Sequence, residues 1–176
     1  MRIIAGTLKG RRLQAPPEGE RRVRPTADRA REALFSILQA WPQGGFLDLF
    51  AGTGAVAVEA WSRGYDPVIC VEKEAAALGL VQANAKGTSV RILRQDALGL
   101  KEDAFQDLAV IFADPPYEHS AACFTRLTPR LRLWLQPGGL LVWETDAKTE
   151  LPEAESFEPL ESRRYGAGRF HFFRAG

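Results

Sequence analysis

The chain reads as an α/β fold built on a mostly parallel sheet covered by helices on both faces. Three observations predict it. Apolar runs of five or six residues recur from residue 46 onward without polar alternation, as strands buried on both sides require. Segments with helical spacing of apolar residues separate those runs. The first run also ends on a glycine-rich turn, Asp48-Leu49-Phe50-Ala51-Gly52-Thr53-Gly54, that leads straight into a helix. A chain of 176 residues can bury one full core, so a single compact unit is expected.

The elements follow in order. Residues 2–22, punctuated by Gly6, Gly10, Pro16 and Pro17, predict short strands joined by turns. Thr26 is placed to cap a helix running to about residue 39, with Ala30, Ala33, Leu34, Ile37 and Leu38 on one face. Trp41-Pro42-Gln43-Gly44-Gly45 breaks the pattern, dividing a basic extension (1–45) from the sheet-forming unit (46–176). Strands are then expected at 46–50, 68–72, 90–94, 108–113 and 140–144. Helices are expected at 55–63 and 74–86, closed by Gly64 and Gly87. Residues 120–135 look helical, but Pro129 predicts a break or kink there. Pro137-Gly138-Gly139 reads as the turn before the 140–144 strand. Residues 157–164 and 169–173 predict an antiparallel hairpin around Gly166-Ala167-Gly168.

Composition narrows the class. Hydrophobic residues at 45% and charged residues at 26% suit a globular protein, and no apolar run is long enough to span a bilayer. No signal-peptide pattern opens the chain, and Cys70 and Cys123 have neither metal nor redox spacing, so a reducing cytoplasm is the expected setting. The net charge of +1 conceals polarity: residues 1–31 hold nine Lys/Arg against three Asp/Glu, and the rest holds 14 against 19. That asymmetry predicts a polyanion-binding face. Arg2, Lys9, Arg11, Arg12, Arg21, Arg22 and Arg24 are its candidates, and a solvated basic tail is the plainer alternative.

Two motifs carry chemistry. Asp114-Pro115-Pro116-Tyr117 follows the apolar run 108–113. Proline fixes its own φ and holds the preceding residue extended, so the turn is stiff. The Asp114 carboxylate and the Pro115 carbonyl can then accept both hydrogens of a planar amine, and the Tyr117 ring offers a stacking face. Taken alone, the tetrapeptide is equally readable as an ordinary turn. At the other motif, Gly52 and Gly54 allow close backbone approach, and Glu72 ends the next strand where an acid can bind ribose hydroxyls. Dinucleotide and S-adenosylmethionine sites share this arrangement. Asp48, inside the strand, suits a ligand carrying an ammonium group, and Asp96 follows the third strand where it can accept from an adenine amine.

Together these motifs resemble those of S-adenosylmethionine-dependent amino-methyltransferases. Arg2-Ile3-Ile4-Ala5-Gly6, Lys9-Gly10-Arg11, Arg24-Pro25-Thr26, Arg31-Glu32-Ala33-Leu34-Phe35 and Arg94-Gln95-Asp96-Ala97 narrow the resemblance to the bacterial family that methylates a guanine N2 in 16S ribosomal RNA. The resemblance covers nearly the whole chain, residues 150–176 only loosely. It implies a Rossmann-like class I methyltransferase fold with a mostly parallel seven-stranded sheet and a C-terminal antiparallel hairpin. It also implies S-adenosylmethionine as cofactor, held by Thr26, Asp48, Phe50, Ala51, Gly52, Thr53, Gly54, Glu72, Lys73, Asp96, Ala97 and Asp114. Within that set, Asp48 and the glycines would hold the methionine end, Glu72 the ribose, and Asp96 with Ala97 the adenine. Asp114, Pro115, Pro116 and Tyr117 would hold the target guanine. The implied partner is 16S rRNA, free or within an assembled or partly assembled small ribosomal subunit, with no metal, no membrane and a monomeric enzyme. The alternatives are methylation of adenine N6 or another nucleic-acid amine, a nicotinamide oxidoreductase that leaves Asp114 to Tyr117 unexplained, and an RNA-binding module without catalysis.

Overall fold

The computed structural model describes residues 1–16 and 26–176. Seven strands form one sheet: β1 (Gly45–Asp48), β2 (Val68–Glu72), β3 (Arg91–Arg94), β4 (Leu108–Ala113), β5 (Leu135–Asp146), β6 (Phe157–Tyr165) and β7 (Gly168–Ala175). Their order is β3-β2-β1-β4-β5-β7-β6. The first five run parallel, and β7 and β6 add an antiparallel edge. The chain leaves β1 toward β2 and later returns to its other side as β4. That reversal opens a crevice at the strands' carboxyl ends, where open α/β sheets bind ligands.

Helices α1 (Thr26–Leu38), α2 (Ala55–Ser62) and α3 (Ala75–Asn84) contribute Leu34, Phe35, Ala57, Ala60 and Val81 to the core on one face, against Phe46, Cys70, Phe112 and Val142. Helix α4 (Ser120–Trp134) covers the other face, where Phe124, Leu127 and Trp134 meet Leu47, Ile111 and Trp143. Successive strand residues alternate between the two cores, as the pleat requires. Among the described residues, no helix is long and apolar enough to cross a membrane.

Three expectations are corrected. Helix α4 runs unbroken through Pro129. Proline leaves the Thr125 carbonyl without its usual N–H donor, but the Thr128 hydroxyl donates to that same oxygen at 3.4 Å. The segment Pro137-Gly138-Gly139 lies inside β5 rather than before it: Leu108 pairs with Leu135 and Val110 with Leu140, so the extra residues bulge out of the ladder. Among the described residues of the extension, the expected strands reduce to one antiparallel bridge, Arg2 with Arg12. Most of this hook's bonds go elsewhere. Ile4 and Ala5 donate to the Glu59 carboxylate at 2.8 and 3.0 Å, Thr7 to the Ser62 carbonyl at 2.8 Å, and Leu8 to the Ser62 hydroxyl at 2.9 Å. Helix α1 begins at Thr26, so a capping residue before it lies outside the described residues.

Candidate active site

The crevice is lined by acids that the sheet itself positions. Asp48 pairs with Cys70 on β2 and Phe112 on β4. Glu72 and Asp114 therefore stand two residues further toward the carboxyl end, one on either side of it. Alternation along the strands turns all three toward the face shared by Cys70 and Phe112. Exposure rises with height: Asp48 is 1% exposed, Glu72 9%, and Asp114 stands open to solvent.

The glycine turn folds over Asp48. Leu49 donates to the Phe112 carbonyl (2.9 Å), Ala51 to Val71 (3.0 Å), and Gly54 back to Ala51 (2.7 Å). Gly52 has φ +54°, and a Cβ there would enter open space. Conformation rather than packing thus demands glycine, which leaves bare backbone open to a ligand. Phe50 lies edge-on to Trp143, Ala51 is buried, and the Thr53 carbonyl accepts from Asn84 at 2.9 Å.

Glu72 already serves the scaffold. Its Oε2 accepts from Gly52 N, and its Oε1 from Lys73 N and Glu74 N, each at 2.8 Å. One acid thereby ties the turn to the start of α3, and a carboxylate with about four acceptor sites keeps capacity for a ligand. Beside Glu72, past the end of β3, Asp96 accepts from Leu98 N (2.9 Å), and its other oxygen lies 3.6 Å from the Lys73 ammonium. Ala97 is buried behind it.

Asp48 is different. Neither of its carboxylate oxygens completes a hydrogen bond of good geometry among the described residues, although the Phe50 and Ala57 amides lie near enough to favour its charge. Burial, then the nearby Asp114 carboxylate, push its pKa up to about 8. The Ala57 and Phe50 amides oppose the shift and Glu72 adds to it. A cation placed beside this raised carboxyl would favour its ionised form.

The clamp sits on the neighbouring strand. Pro115 is buried, Pro116 exposed, and Tyr117 half-buried with its hydroxyl donating to Glu144 Oε1 at 3.3 Å. Trp143 donates to the Ser120 hydroxyl at 2.9 Å, and that hydroxyl donates to the Glu144 carbonyl at 3.4 Å. Together they pin the start of α4 to β5, so the clamp loop is anchored at both ends. His119 ends the short 3-10 turn Tyr117–His119 and is exposed, as a loop residue.

The structure thus gathers Asp48, Phe50–Gly54, Glu72, Lys73, Asp96, Ala97 and Asp114–Tyr117 at one end of the sheet. Thr26 opens α1. The basic candidates divide. Arg2, Lys9 and Arg12 are exposed on the hook, and Arg11 is half-buried and donates to the Lys86 carbonyl at 2.8 Å. Arg21, Arg22 and Arg24 lie outside the described residues. Sequence reading passed over Glu144 and Asn84. Glu144 ends an apolar run just as Asp48 and Glu72 do, which was the available signal. Asn84 had no such signal, because its role is tertiary: it bonds both backbone groups of Gln14, at 2.7 and 3.0 Å, as well as Thr53.

Comparison with known proteins agrees with this architecture. YlbH of Bacillus subtilis is 34% identical over 165 residues, 87% of this chain and 86% of its own. Ribosomal RNA small subunit methyltransferase D of Haemophilus influenzae is 29% identical over 182 residues, covering 99% and 93%. A hypothetical protein of Thermus thermophilus superposes with TM-score 0.82 at 30% identity over 98% of both chains. The N-methyltransferase NodS of Bradyrhizobium japonicum, solved with S-adenosyl-L-homocysteine, superposes with TM-score 0.73 at 16% identity over 92% and 93%. That distant likeness concerns the fold alone, the class I methyltransferase fold. Residues 1–174 match the family described as Conserved hypothetical protein 95, and the chain belongs to that family.

Proposed function

We propose that this protein transfers a methyl group from S-adenosylmethionine to the exocyclic N2 of one guanine in 16S ribosomal RNA. The observation that carries the reading is the juxtaposition, across the β1–β4 crevice, of an unsatisfied buried Asp48 under a bare glycine turn with the Asp114-Pro115-Pro116-Tyr117 clamp. The relative named a small-subunit methyltransferase supports the RNA target.

The residues present fit the cofactor. Asp48 would face its cationic methionine end, the Gly52 backbone would lie along it, Glu72 would take the ribose, and Asp96 with Ala97 the adenine. Thr26 and Lys73 would flank it. When bound, the cofactor supplies an electrophilic methyl on a sulfonium. The chain's task is alignment, because a guanine amine is a weak nucleophile whose lone pair is delocalised into the ring. The Asp114 carboxylate and the Pro115 carbonyl would accept the two N2 hydrogens, which favours the amine as positive charge develops on it. Pro116 stiffens the turn, and the Tyr117 ring would stack on the base, worth roughly 1–3 kcal/mol. Holding the reactants in line supplies roughly 7–11 kcal/mol.

The target guanine must be unpaired or flipped to enter such a clamp. Arg2, Lys9, Arg11 and Arg12 on the hook, with Arg21, Arg22 and Arg24, would meet phosphates of the RNA. A small ribosomal subunit in the cytoplasm would present the base to a monomeric enzyme.

The test is nucleoside mass spectrometry of 16S rRNA, free and in small subunits, from cells lacking this enzyme, after incubation with protein and labelled S-adenosylmethionine. One labelled N2-methylguanosine is expected with the wild type, and at least about a hundredfold less with Asp114→Ala. Labelled N6-methyladenosine, or no labelled nucleoside, would overturn the reading.

A further inference from the structure

We propose that Glu144 is the residue that makes the clamp specific for guanine, by accepting the ring N1–H beside the reacting amine; this rests on the reading above. The argument begins with register. Ala113 on β4 pairs with Trp143 on β5. The next residues are Asp114, just past the end of β4, and Glu144 on β5, which follow a pair of strands spaced about 4.8 Å apart. Leu141 and Trp143 face the α4 core, while Leu140 and Val142 face the α1 core. Glu144 thus shares the face of Asp48 and Asp114 and extends the acid row to a fourth strand.

Two contacts set its position. Its Oε1 accepts from the Tyr117 hydroxyl at 3.3 Å, which ties the carboxylate to the ring on which the base would stack. Its backbone carbonyl is held by Ser120. Nearby on β7 lies Gly168, the partner of Asp146, where a Cβ would come within 2.8 Å of Glu144 Oε1 and 3.3 Å of the Tyr117 hydroxyl. Glycine at 168 keeps the space around both side chains clear.

The chemistry of the base completes the case. Guanine presents two donors next to each other, the N2 amine and N1–H. Two neighbouring acceptor groups, Asp114 with Pro115 for the amine and Glu144 for N1–H, match that edge. Adenine carries a lone pair at N1, so the Glu144 carboxylate would face it acceptor to acceptor. The acid row therefore also explains why this clamp would refuse adenine.

The experiment uses small subunits reconstituted with 16S rRNA carrying either guanine or 2-aminopurine at the methylated position. 2-Aminopurine keeps the N2 amine but has an acceptor in place of N1–H. Wild-type protein is expected to favour guanine by at least about tenfold in kcat/KM, a lost base contact being worth roughly that much. Glu144→Gln, whose amide can both donate and accept, is expected to narrow the ratio to within about threefold. Tyr117→Phe, which removes the hydroxyl but keeps the carboxylate, is expected to narrow the preference less than Glu144→Gln does. A purely structural Glu144 would lower activity on both substrates alike and leave the ratio intact, which would overturn the inference. Equal wild-type activity on the two substrates would overturn it without any variant. Failure of wild-type protein to methylate guanine at all would instead overturn the function on which it rests.

Discussion

Two acids in this chain are almost equally buried and lead opposite lives. Glu59, on α2 beneath the hook, is 0% exposed, and Asp48, at the end of β1, is 1% exposed. Glu59 is fully engaged: it accepts from Ile4 N, Ala5 N and Arg63 Nε, with Arg31 Nε at 3.6 Å. Arg31 in turn bonds Asp28 and the Arg2 carbonyl. Asp48 meets other acids, and its oxygens complete no hydrogen bond of good geometry among the described residues. Burial alone does not decide what a carboxylate does. A satisfied one fastens the chain to itself, whereas one without good partners beside an open turn is the kind of group a ligand can complete.

The sharpest way to break this comparison is to neutralise each acid in turn. Glu59→Gln removes the buried charge shared by Arg31 and Arg63, leaving Arg31 only the partly exposed Asp28, and should cost about 3–5 kcal/mol in urea unfolding. Asp48→Asn, measured at pH 6, should cost nothing and instead stabilise by about 3 kcal/mol, because the unfolded Asp48 carboxyl is ionised there while the folded one is held neutral. Similar losses at both sites would erase the distinction.

The pH dependence sharpens it further. Between about pH 4 and about pH 8 the unfolded Asp48 carboxyl is ionised while the folded one keeps its proton. The folded state then binds the extra proton, so stability falls as pH rises through that window and levels off above it. Asp48→Asn removes this slope. Above pH 8 it should be the more stable protein, by up to about 5 kcal/mol, as denaturant titrations at pH 6 and pH 9 would read out.

A smaller effect is expected where the two regions join. Asn84 bonds the hook at Gln14 and the glycine turn at Thr53. Asn84→Ala should cost about 2 kcal/mol and weaken S-adenosylmethionine binding several-fold in calorimetry. An unchanged affinity would mean that the hook does not support the turn. Smallest is reversal of exposed hook charges. Lys9→Glu with Arg12→Glu should leave stability within about 0.5 kcal/mol and cofactor affinity unchanged, while flattening the salt dependence of RNA binding measured by filter retention.

What could be read from the sequence divides along the same line. The ends of buried strands are local: an apolar run followed by an acid or a glycine announced Asp48, Gly52, Glu72 and Asp114, and those residues converge at the β1–β4 crevice. The hook could not be read that way. Its glycines and alternating apolar residues look like short strands, but its amides are satisfied by Glu59 and Ser62, more than 50 residues away. Pro129 misled for a related reason, since the Thr128 hydroxyl that compensates for it acts only once the helix exists. Glu144 sat in plain view at the end of the 140–144 run, and only the pairing of β4 with β5 gives it meaning.

Calorimetric titration of S-adenosylmethionine at pH 7, repeated in two buffers of different ionisation enthalpy, tests most directly whether Asp48 is kept for a cationic ligand. Wild-type protein should release close to one more proton per bound cofactor than Asp48→Asn, and bind it at least about tenfold more tightly. Equal proton release and equal affinity in the two proteins would contradict the account, and would make Asp48 a buried acid with no part in binding.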